Sequence, residues 1–415
     1  MKLLTAALFT LIPLSAYAVT PEEVVKYLLN NSLDIKTAKK SVEKERINKV
    51  VTEREFFPEI NLSASFSEFY PDFKESWNQK YSLGATVSAE PINFQRFVKL
   101  EIDLTRIKAK EEKLKETLLE QLFLALKELY NLKAYQERIL FKEESLRSAK
   151  EILKVAQEKY KKGLVMITDV LKAKSQVENV KGELSKLKAQ YRQSFNRLNE
   201  LLNFSLSEEE KPQFEFLKEK VKVEEKELLR TALEMRPEVK EAKEEVKENS
   251  LRVKYTQRTL SPRLNLSFSW NRSGTSFWPQ DRNYSAGVSL SFPIFDSGLT
   301  AYRTMAQEKE KEISLINLKK VKNRVKREVL DAIADVESGY ENLKSAEAFL
   351  EFSKRAYERT LNEYKLGVSD IVSLLQAYTN LKEAQDRYVS SLLNYNVSLL
   401  SLKKATGELL TEVKK

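Results

Sequence analysis

Two hydrophobic periods take turns along this chain. Between residues 60 and 67, Ile60, Leu62, Ala64 and Phe66 alternate with Asn61, Ser63, Ser65 and Ser67. The same two-residue period returns in 80–89 (Tyr81, Leu83, Ala85, Val87), in 264–271 (Leu264, Leu266, Phe268, Trp270) and in 284–292 (Tyr284, Ala286, Val288, Leu290). A period of two puts apolar side chains on one face of a strand and polar ones on the other. Elsewhere the period is helical. Residues 32–56 and 238–260 predict helices rich in Lys, Glu and Ala, and 93–161 and 297–365 predict far longer ones. No Gly or Pro interrupts the chain between Pro91 and Gly163. About 68 residues at 1.5 Å each would make a rod of roughly 100 Å. The rods carry seven-residue stripes: Leu118, Ala125, Leu132, Ile139, Leu146, Leu153 and Tyr160 in the first, and Val329, Val336, Leu343, Leu350, Tyr357 and Tyr364 in the second. A strict seven-residue period predicts left-handed coiled packing against neighbouring helices.

The two rods belong to two copies of one unit. Leu33-Asp-Ile-Lys-Thr-Ala38 is echoed by Pro237-Glu-Val-Lys-Glu-Ala242, Phe57-Pro-Glu-Ile-Asn-Leu-Ser63 by Ser261-Pro-Arg-Leu-Asn-Leu-Ser267, and Tyr160-Lys-Lys-Gly163 by Tyr364-Lys-Leu-Gly367, each 204 residues apart. Three separated matches at one offset indicate a tandem duplication. The expected order in each copy is helix, two strands, very long helix, turn, helix. The first copy is expected over 19–202, an inter-repeat or equatorial segment over 203–230, the second copy over 231–407 and a tail over 408–415.

The strand segments have the length and alternation of tilted membrane-crossing strands, apolar toward lipid and small polar toward a lumen. Aromatic residues crowd their ends: Phe56, Phe57, Phe69, Tyr70, Trp77, Phe277, Trp278 and Phe292. Such belts suit a membrane–water interface. Four strands cannot close a barrel, and lipid forbids open edges, so closure would need several chains. A soluble sheet with one wet face is the bland alternative.

Composition narrows the picture further. The first residues, MKLLTAALFTLIPLSAYA, combine Lys2, an apolar run and Ala16-Tyr17-Ala18, which predicts a secretory signal over 1–18. The 415 residues include no cysteine and no histidine. That removes disulfides, a lipid-modified N-terminal cysteine, the commonest general base and the commonest metal ligand. The formal charge is +10, with 71 Lys and Arg against 61 Asp and Glu. These are interspersed, so a solvated helical surface explains them better than nucleic-acid binding. Nothing in the chain supplies energy: there is no phosphate-binding G-x-x-x-x-G-K-[ST] motif. No enzyme activity, catalytic residue, metal or cofactor is expected.

Two places stand out for function. After each long helix comes a short turn containing Gly163 or Gly367, where a positive φ is wanted. Thr168 is expected to cap the following helix with Asp169 in its first turn, and Ser369 with Asp370 to do so in the second copy. At the strand-to-helix junctions, Pro91 and Pro293 are expected to end the ladder. Asp296 or Ser297 would cap the next helix, Gly298 would permit close packing, and Asn93 would act likewise in the first copy.

On these residues the chain resembles the TolC family of outer-membrane efflux proteins. The pattern Y-x-x-G-x(5)-[D/S]-x-L-x-A occurs twice, at Tyr160 to Ala173 and Tyr364 to Ala377. Pro293-Ile-Phe-Asp-Ser-Gly298 resembles the family's junction, and Met235-Arg236-Pro237-Glu238 its second-repeat opening. The resemblance covers nearly all of the chain after the signal. It implies a mainly α protein with a small β part: a homotrimer whose twelve strands form a transmembrane β-barrel above a long coiled α-helical barrel in the periplasm. It implies a tunnel closing near the Gly turns, and as partners outer-membrane lipid, a periplasmic adaptor (membrane fusion) protein and an inner-membrane transporter of RND, ABC or similar type. Asp169 matches a family carboxylate that latches the closed tunnel, and Tyr364 its hydroxyl partner. The family's basic residue two after the second Gly is Ser369 here, and its acidic residues six and nine after it are Ser373 and Gln376. Asp370, one helical turn earlier, is the candidate replacement. The implied function is a passive exit duct of a tripartite efflux or type I secretion system. The alternative is a basic coiled-coil periplasmic chaperone or tether without a channel.

Overall fold

The computed structural model describes residues 18–70, 78–207 and 210–414. Trp77 and most of the expected signal lie outside them. The chain forms two units. One comprises the residues up to Thr37, Lys115–Arg236 and Asn323 onward; the other comprises Ala38–Leu114 and Pro237–Lys322.

The second unit holds the sheet. β2 (Glu59–Phe69), β3 (Asn78–Asn93), β5 (Arg263–Gly274) and β6 (Asp281–Ser291) are antiparallel neighbours in the order β2-β3-β5-β6. The register keeps the alternation intact across all four strands. Leu62 faces Ala85, Val87 faces Phe268, and Phe268 faces Ala286 on one side; Ser65 faces Ser82, Thr86 faces Ser269, and Ser269 faces Ser285 on the other. The polar face is knitted by hydroxyl pairs, Ser65–Ser82 at 2.6 Å and Ser269–Ser285 at 2.7 Å. The apolar face is left open, with Leu62 80% and Val288 75% exposed.

The junctions below the sheet depart from expectation. β3 runs past Pro91 to Asn93, with a register shift between Ala89 and Ile92. Pro91 therefore sits at a bulge, one of the few sheet positions that tolerate a missing N–H. Asn93 does act as a cap: its Oδ1 accepts from the Gln95 N–H at 3.0 Å as α3 (Phe94–Lys161) begins. In the second copy β6 stops at Ser291, two residues before Pro293, as expected. Asp296 is the capping residue there, its Oδ2 accepting from the Thr300 N–H at 2.8 Å as α7 (Leu299–Leu366) begins. Ser297 instead adopts φ 57° and Gly298 φ 80°. A Cβ on Gly298 would meet only the Tyr302 ring at 3.8 Å, so this glycine serves the left-handed backbone and not close packing. Beneath them, α2 (Leu33–Arg54) and α6 (Pro237–Gln257) flank α3 through Thr52–Asp103 at 2.6 Å and Arg106–Glu248 at 2.9 Å. A short 3-10 turn, Arg258–Leu260, finishes the helix expected to reach residue 260.

The first unit contains the remaining helices. α4 (Ile167–Leu201) and α8 (Ile371–Thr406) return from the two long helices. Two 11-residue helices, α1 (Pro21–Asn31) and α5 (Glu225–Met235), are additional to the expected order and stand 204 residues apart. The expected start of the second copy at 231 thus falls inside α5. α1 begins with a capping box: Thr20 Oγ1 accepts from the Glu23 N–H at 3.3 Å, and Glu23 Oε2 accepts from the Thr20 N–H at 2.9 Å. Between the copies, β1 (Ala18–Val19) pairs in parallel with β4 (Lys211–Pro212). The segment that follows is sewn to α8: Asn396 exchanges two 2.9 Å bonds with the Leu217 backbone, and Tyr395 donates to the Glu219 carbonyl at 2.6 Å. Arg236, nearly fully buried after α5, donates to the Ala405 carbonyl at 3.2 Å and to Glu328 at 2.9 Å.

The predicted stripes fare unequally. In α7, Val329, Val336, Leu343, Tyr357 and Tyr364 are buried and Leu350 is half-buried. In α3, Ala125 and Leu132 are buried, but Leu118, Ile139, Leu146 and Leu153 are half-buried and Tyr160 is 45% exposed. The buried line there shifts to Ala149, Ile152 and Ala156. A 3.6-residue helix drifts about 20° per heptad, so one fixed heptad position rotates off the seam over several turns.

Candidate functional site

The two Gly turns end their helices in the same way. Gly163 (φ 70°) donates to the Tyr160 carbonyl at 2.9 Å while Leu164 donates back to Lys159 at 2.9 Å. Gly367 (φ 84°) donates to Tyr364 at 3.1 Å while Val368 donates back to Glu363 at 3.0 Å. These are paired Schellman bonds, and only glycine takes the left-handed position without cost. Beyond them the turns expose apolar side chains: Leu164, Met166 and Ile167 on one, Leu366 and Val368 on the other.

The following helices are capped differently from expectation. α4 starts at Ile167 after Met166, which makes no side-chain cap, so Thr168 lies inside the helix; Asp169 is in its first turn as expected. In the second copy Asp370, not Ser369, is the cap. Its Oδ1 accepts from the Val372 and Ser373 N–H groups at 2.7 and 2.9 Å, and its Oδ2 from the Ser373 hydroxyl at 3.3 Å. The Ser373 N–H is the main reason this carboxyl sits below its ordinary range. Gln376, exposed one turn later, donates to Asn380 at 2.9 Å.

Behind the turns α3, α4, α7 and α8 enclose one apolar cluster that includes Ala156, Val177, Leu361, Tyr364, Leu374 and Tyr378. Tyr364 is buried within it while its counterpart Tyr160 is not. Among the described residues the Tyr364 hydroxyl has no hydrogen-bond partner. Burial pushes it up, and the nearby negative charge of Asp169 pushes it further. The structure thus sets Asp169 and Tyr364 within electrostatic reach of each other without a hydrogen bond between them. The partner that does hold Tyr364 is Lys159. Its ammonium lies 4.6 Å from the centre of the Tyr364 ring and donates to the Tyr364 carbonyl. A cation on the last carbonyls of α7 also opposes that helix's dipole.

A second tier of contacts lies further along the helices. Lys142, nearly fully buried on α3, reaches Glu183 of α4 at 3.1 Å and Asp386 of α8 at 3.5 Å. Lys382 of α8 also reaches Glu183, at 2.9 Å. Burial works against the Glu183 carboxylate, but bonds from Lys382 and Lys142 outweigh it and hold the carboxyl below its ordinary value. Tyr378 donates to the Ser145 carbonyl at 2.7 Å, Ser145 to Gln385 at 3.2 Å, and Arg138 to Ser390 at 2.7 Å. Lys365 reaches Glu151 at 2.6 Å. These bonds tie the α3–α4 pair to the α7–α8 pair. Among the described residues no group of His, Cys, Asp or Glu side chains is placed to hold a metal ion, and no helix is long and apolar enough to cross a membrane.

Both copies are recognised when the chain is compared with known families: residues 24–203 and 228–408 match the model of the outer membrane efflux protein family. The chain belongs to that family. It is 20% identical over 407 residues to the antibiotic efflux pump outer membrane protein ArpC of Pseudomonas putida, a match spanning 93% of this chain and 82% of ArpC. Nodulation protein T of Rhizobium leguminosarum bv. trifolii is 22% identical over 265 residues, 60% of this chain and 55% of that protein. Among solved structures, CusC superposes with a TM-score of 0.81 at 18% identity, covering 93% of this chain and 92% of CusC.

In this outer membrane efflux protein, sequence reasoning found both glycines, Asp169 and Tyr364, but passed over Lys159 and the Lys142–Glu183–Lys382 group. Lysines are common on these helices, so no local pattern separates a clamping lysine from a solvated one. The available signal was positional: Lys159 stands one residue before Tyr160 and 205 residues before Tyr364, at a position where the second copy has Glu363.

Proposed function

We propose that this protein is the exit duct of a tripartite efflux or secretion machine: a homotrimer whose strands close a twelve-stranded barrel above a helical tunnel. The observation that carries this reading is the two-faced sheet. One face is apolar and exposed, the other small and polar, and among the described residues β2 and β6 are each paired on one side only. Exposed apolar residues suit lipid, and unpaired edges inside lipid require neighbouring copies. A periplasmic rod or chaperone would need neither feature. In this reading the duct is passive, has no enzymatic step, and is delivered by the expected N-terminal signal.

The turn end is the gate of the proposed duct. Asp169 and Tyr364 bias it electrostatically, Lys159 holds Tyr364 in place, and Asp370 contributes a carboxylate already committed to capping. The apolar residues exposed beyond Gly163 and Gly367 are the surface an adaptor would grip before an inner-membrane transporter delivers cargo. Antibiotic efflux is the role named for ArpC; cargo selection here is assigned to the partners, since the polar strand face carries mostly Ser, Asn, Thr and Gly. The test is fractionation with subunit counting. The protein should pellet with outer membranes and run as a detergent-dependent trimer. Release into the periplasmic fraction without detergent would overturn the reading.

A further inference from the structure

The apolar face of the sheet ends in an unexpected pair. On β5 the series Leu264, Leu266, Phe268 and Trp270 is continued by Arg272, and on β6 the series Leu290, Val288, Ala286 and Tyr284 is continued by Arg282. The register sets Arg272 and Arg282 directly opposite each other, one residue pair short of the last pairing before the hairpin turn. Like charges facing each other across strands are destabilising, and arginine on a lipid-facing surface adds a desolvation cost. Neither guanidinium has an ion-pair partner among the described residues, and the Nε of Arg272 is buried without a hydrogen bond. An anion seated between the two guanidinium groups would offset both costs.

Position identifies it. The long helices leave from the opposite ends of β3 and β6, and this is an outer-membrane protein with its helices in the periplasm, so the β5–β6 turn points outward. The arginines therefore stand at the outer boundary of the apolar band. Aromatic side chains mark the same level: Phe277 and Trp278 are exposed on the turn, and Phe277 packs on Tyr81 with ring centres 5.9 Å apart. Such residues sit at the lipid headgroups. Two adjacent guanidinium forks suit the oxygens of a phosphate, which each can engage bidentately. Below them, Leu266, Phe268 and Val288 offer an exposed apolar surface to acyl chains, with Trp270 half-buried beside them. We infer that Arg272 and Arg282 form a binding site for a phosphate-bearing lipid headgroup of the outer leaflet. The site rests on the outer-membrane reading but not on the gate or on any cargo.

Native mass spectrometry of the detergent-solubilised trimer tests this, with diphosphoryl lipid A as the probe. Dephosphorylated lipid A and inorganic phosphate distinguish headgroup from acyl chain and from free ion. The double variant Arg272→Gln/Arg282→Gln should lose about tenfold or more in lipid A binding, and Arg272→Lys/Arg282→Lys should keep only part of it, because a point charge lacks the fork. Lys80→Gln, near the same end of the sheet on the polar face, should bind as wild type. Dephosphorylated lipid A should bind weakly and equally to all forms. The inference is overturned if the double variant keeps lipid A, if dephosphorylated lipid A binds as tightly, or if inorganic phosphate alone displaces the lipid. It is also overturned if the double variant dissociates to monomers in lipid-free detergent while the wild type stays trimeric, since the arginines would then serve a neighbouring copy. Bilayer conductance of the same variants separates the two readings: unchanged conductance with lost lipid keeps both, and unchanged conductance with retained lipid rejects only this one.

Discussion

Tyr160 and Tyr364 hold equivalent places in the two copies, yet one is exposed and the other buried. The difference makes the second turn the more consequential. The Tyr364 hydroxyl is buried without a partner, so Tyr364→Phe should leave thermal stability unchanged or raise it by up to about 1 kcal/mol. Lys159→Ala should do the reverse, costing about 1–2 kcal/mol through the lost bond to a helix-end carbonyl and the lost ring contact. Measured unfolding of the two variants should move in opposite directions; a larger loss from Tyr364→Phe would mean the hydroxyl has a partner in the assembled protein. Gly367→Ala should cost about 1–2 kcal/mol, because φ is 84° there, although an added Cβ would meet only the Lys159 Nζ, at 3.9 Å.

At the scale of elements, the Glu183 group gives the clamp a pH dependence with a definite sign. Its carboxyl lies below the ordinary 4.5 when folded, so its contribution is complete above that value and is lost as pH falls through the folded one. Melting curves below pH 4.5 should show this loss, and Glu183→Gln should flatten them there while lowering stability at neutral pH. Arg236→Ala should cost about 3 kcal/mol, since it removes the donor to the Ala405 carbonyl at the end of α8 and, among the described residues, leaves Glu328 with only Arg324, at 3.8 Å. A loss under about 1 kcal/mol would show that water replaces the guanidinium there.

Most elements were legible in the sequence because their periods were clean. The strands alternate without a break, and Gly163 and Gly367 mark helix ends that only glycine makes easily. What was missed has physical causes. α1 and α5 are three turns each, too short for a period to assert itself, although the capping box at Thr20 was a readable start. The stripe on α3 is expected to keep one heptad position against its neighbours over its whole length, while the helix drifts off that seam after Leu132. Pro91 was read as a stop because a missing N–H usually ends a ladder; a bulge absorbs it here. In the candidate site the turn residues were found by motif, whereas Lys159 and Lys142 were hidden among many similar lysines and declared themselves only through what they touch.

The whole molecule must resolve an imbalance that one chain leaves open: an exposed apolar sheet face and two edges that, among the described residues, are paired on one side only. In the proposed duct, copies of the chain close around a polar lumen and resolve both, helices form a tunnel wall, and the contacts around Tyr364 set its aperture. The proposed gate is held by Lys159 and by the Lys142–Glu183–Lys382 bridges between helix pairs, so weakening those contacts should open it without changing the barrel. Single-channel recording in planar bilayers tests this most directly. The purified protein should give discrete, small conductance steps, and Lys159→Ala combined with Glu183→Gln should enlarge them while the trimer stays intact. A protein that inserts as a trimer but never conducts, in wild-type or doubly substituted form, would contradict the account.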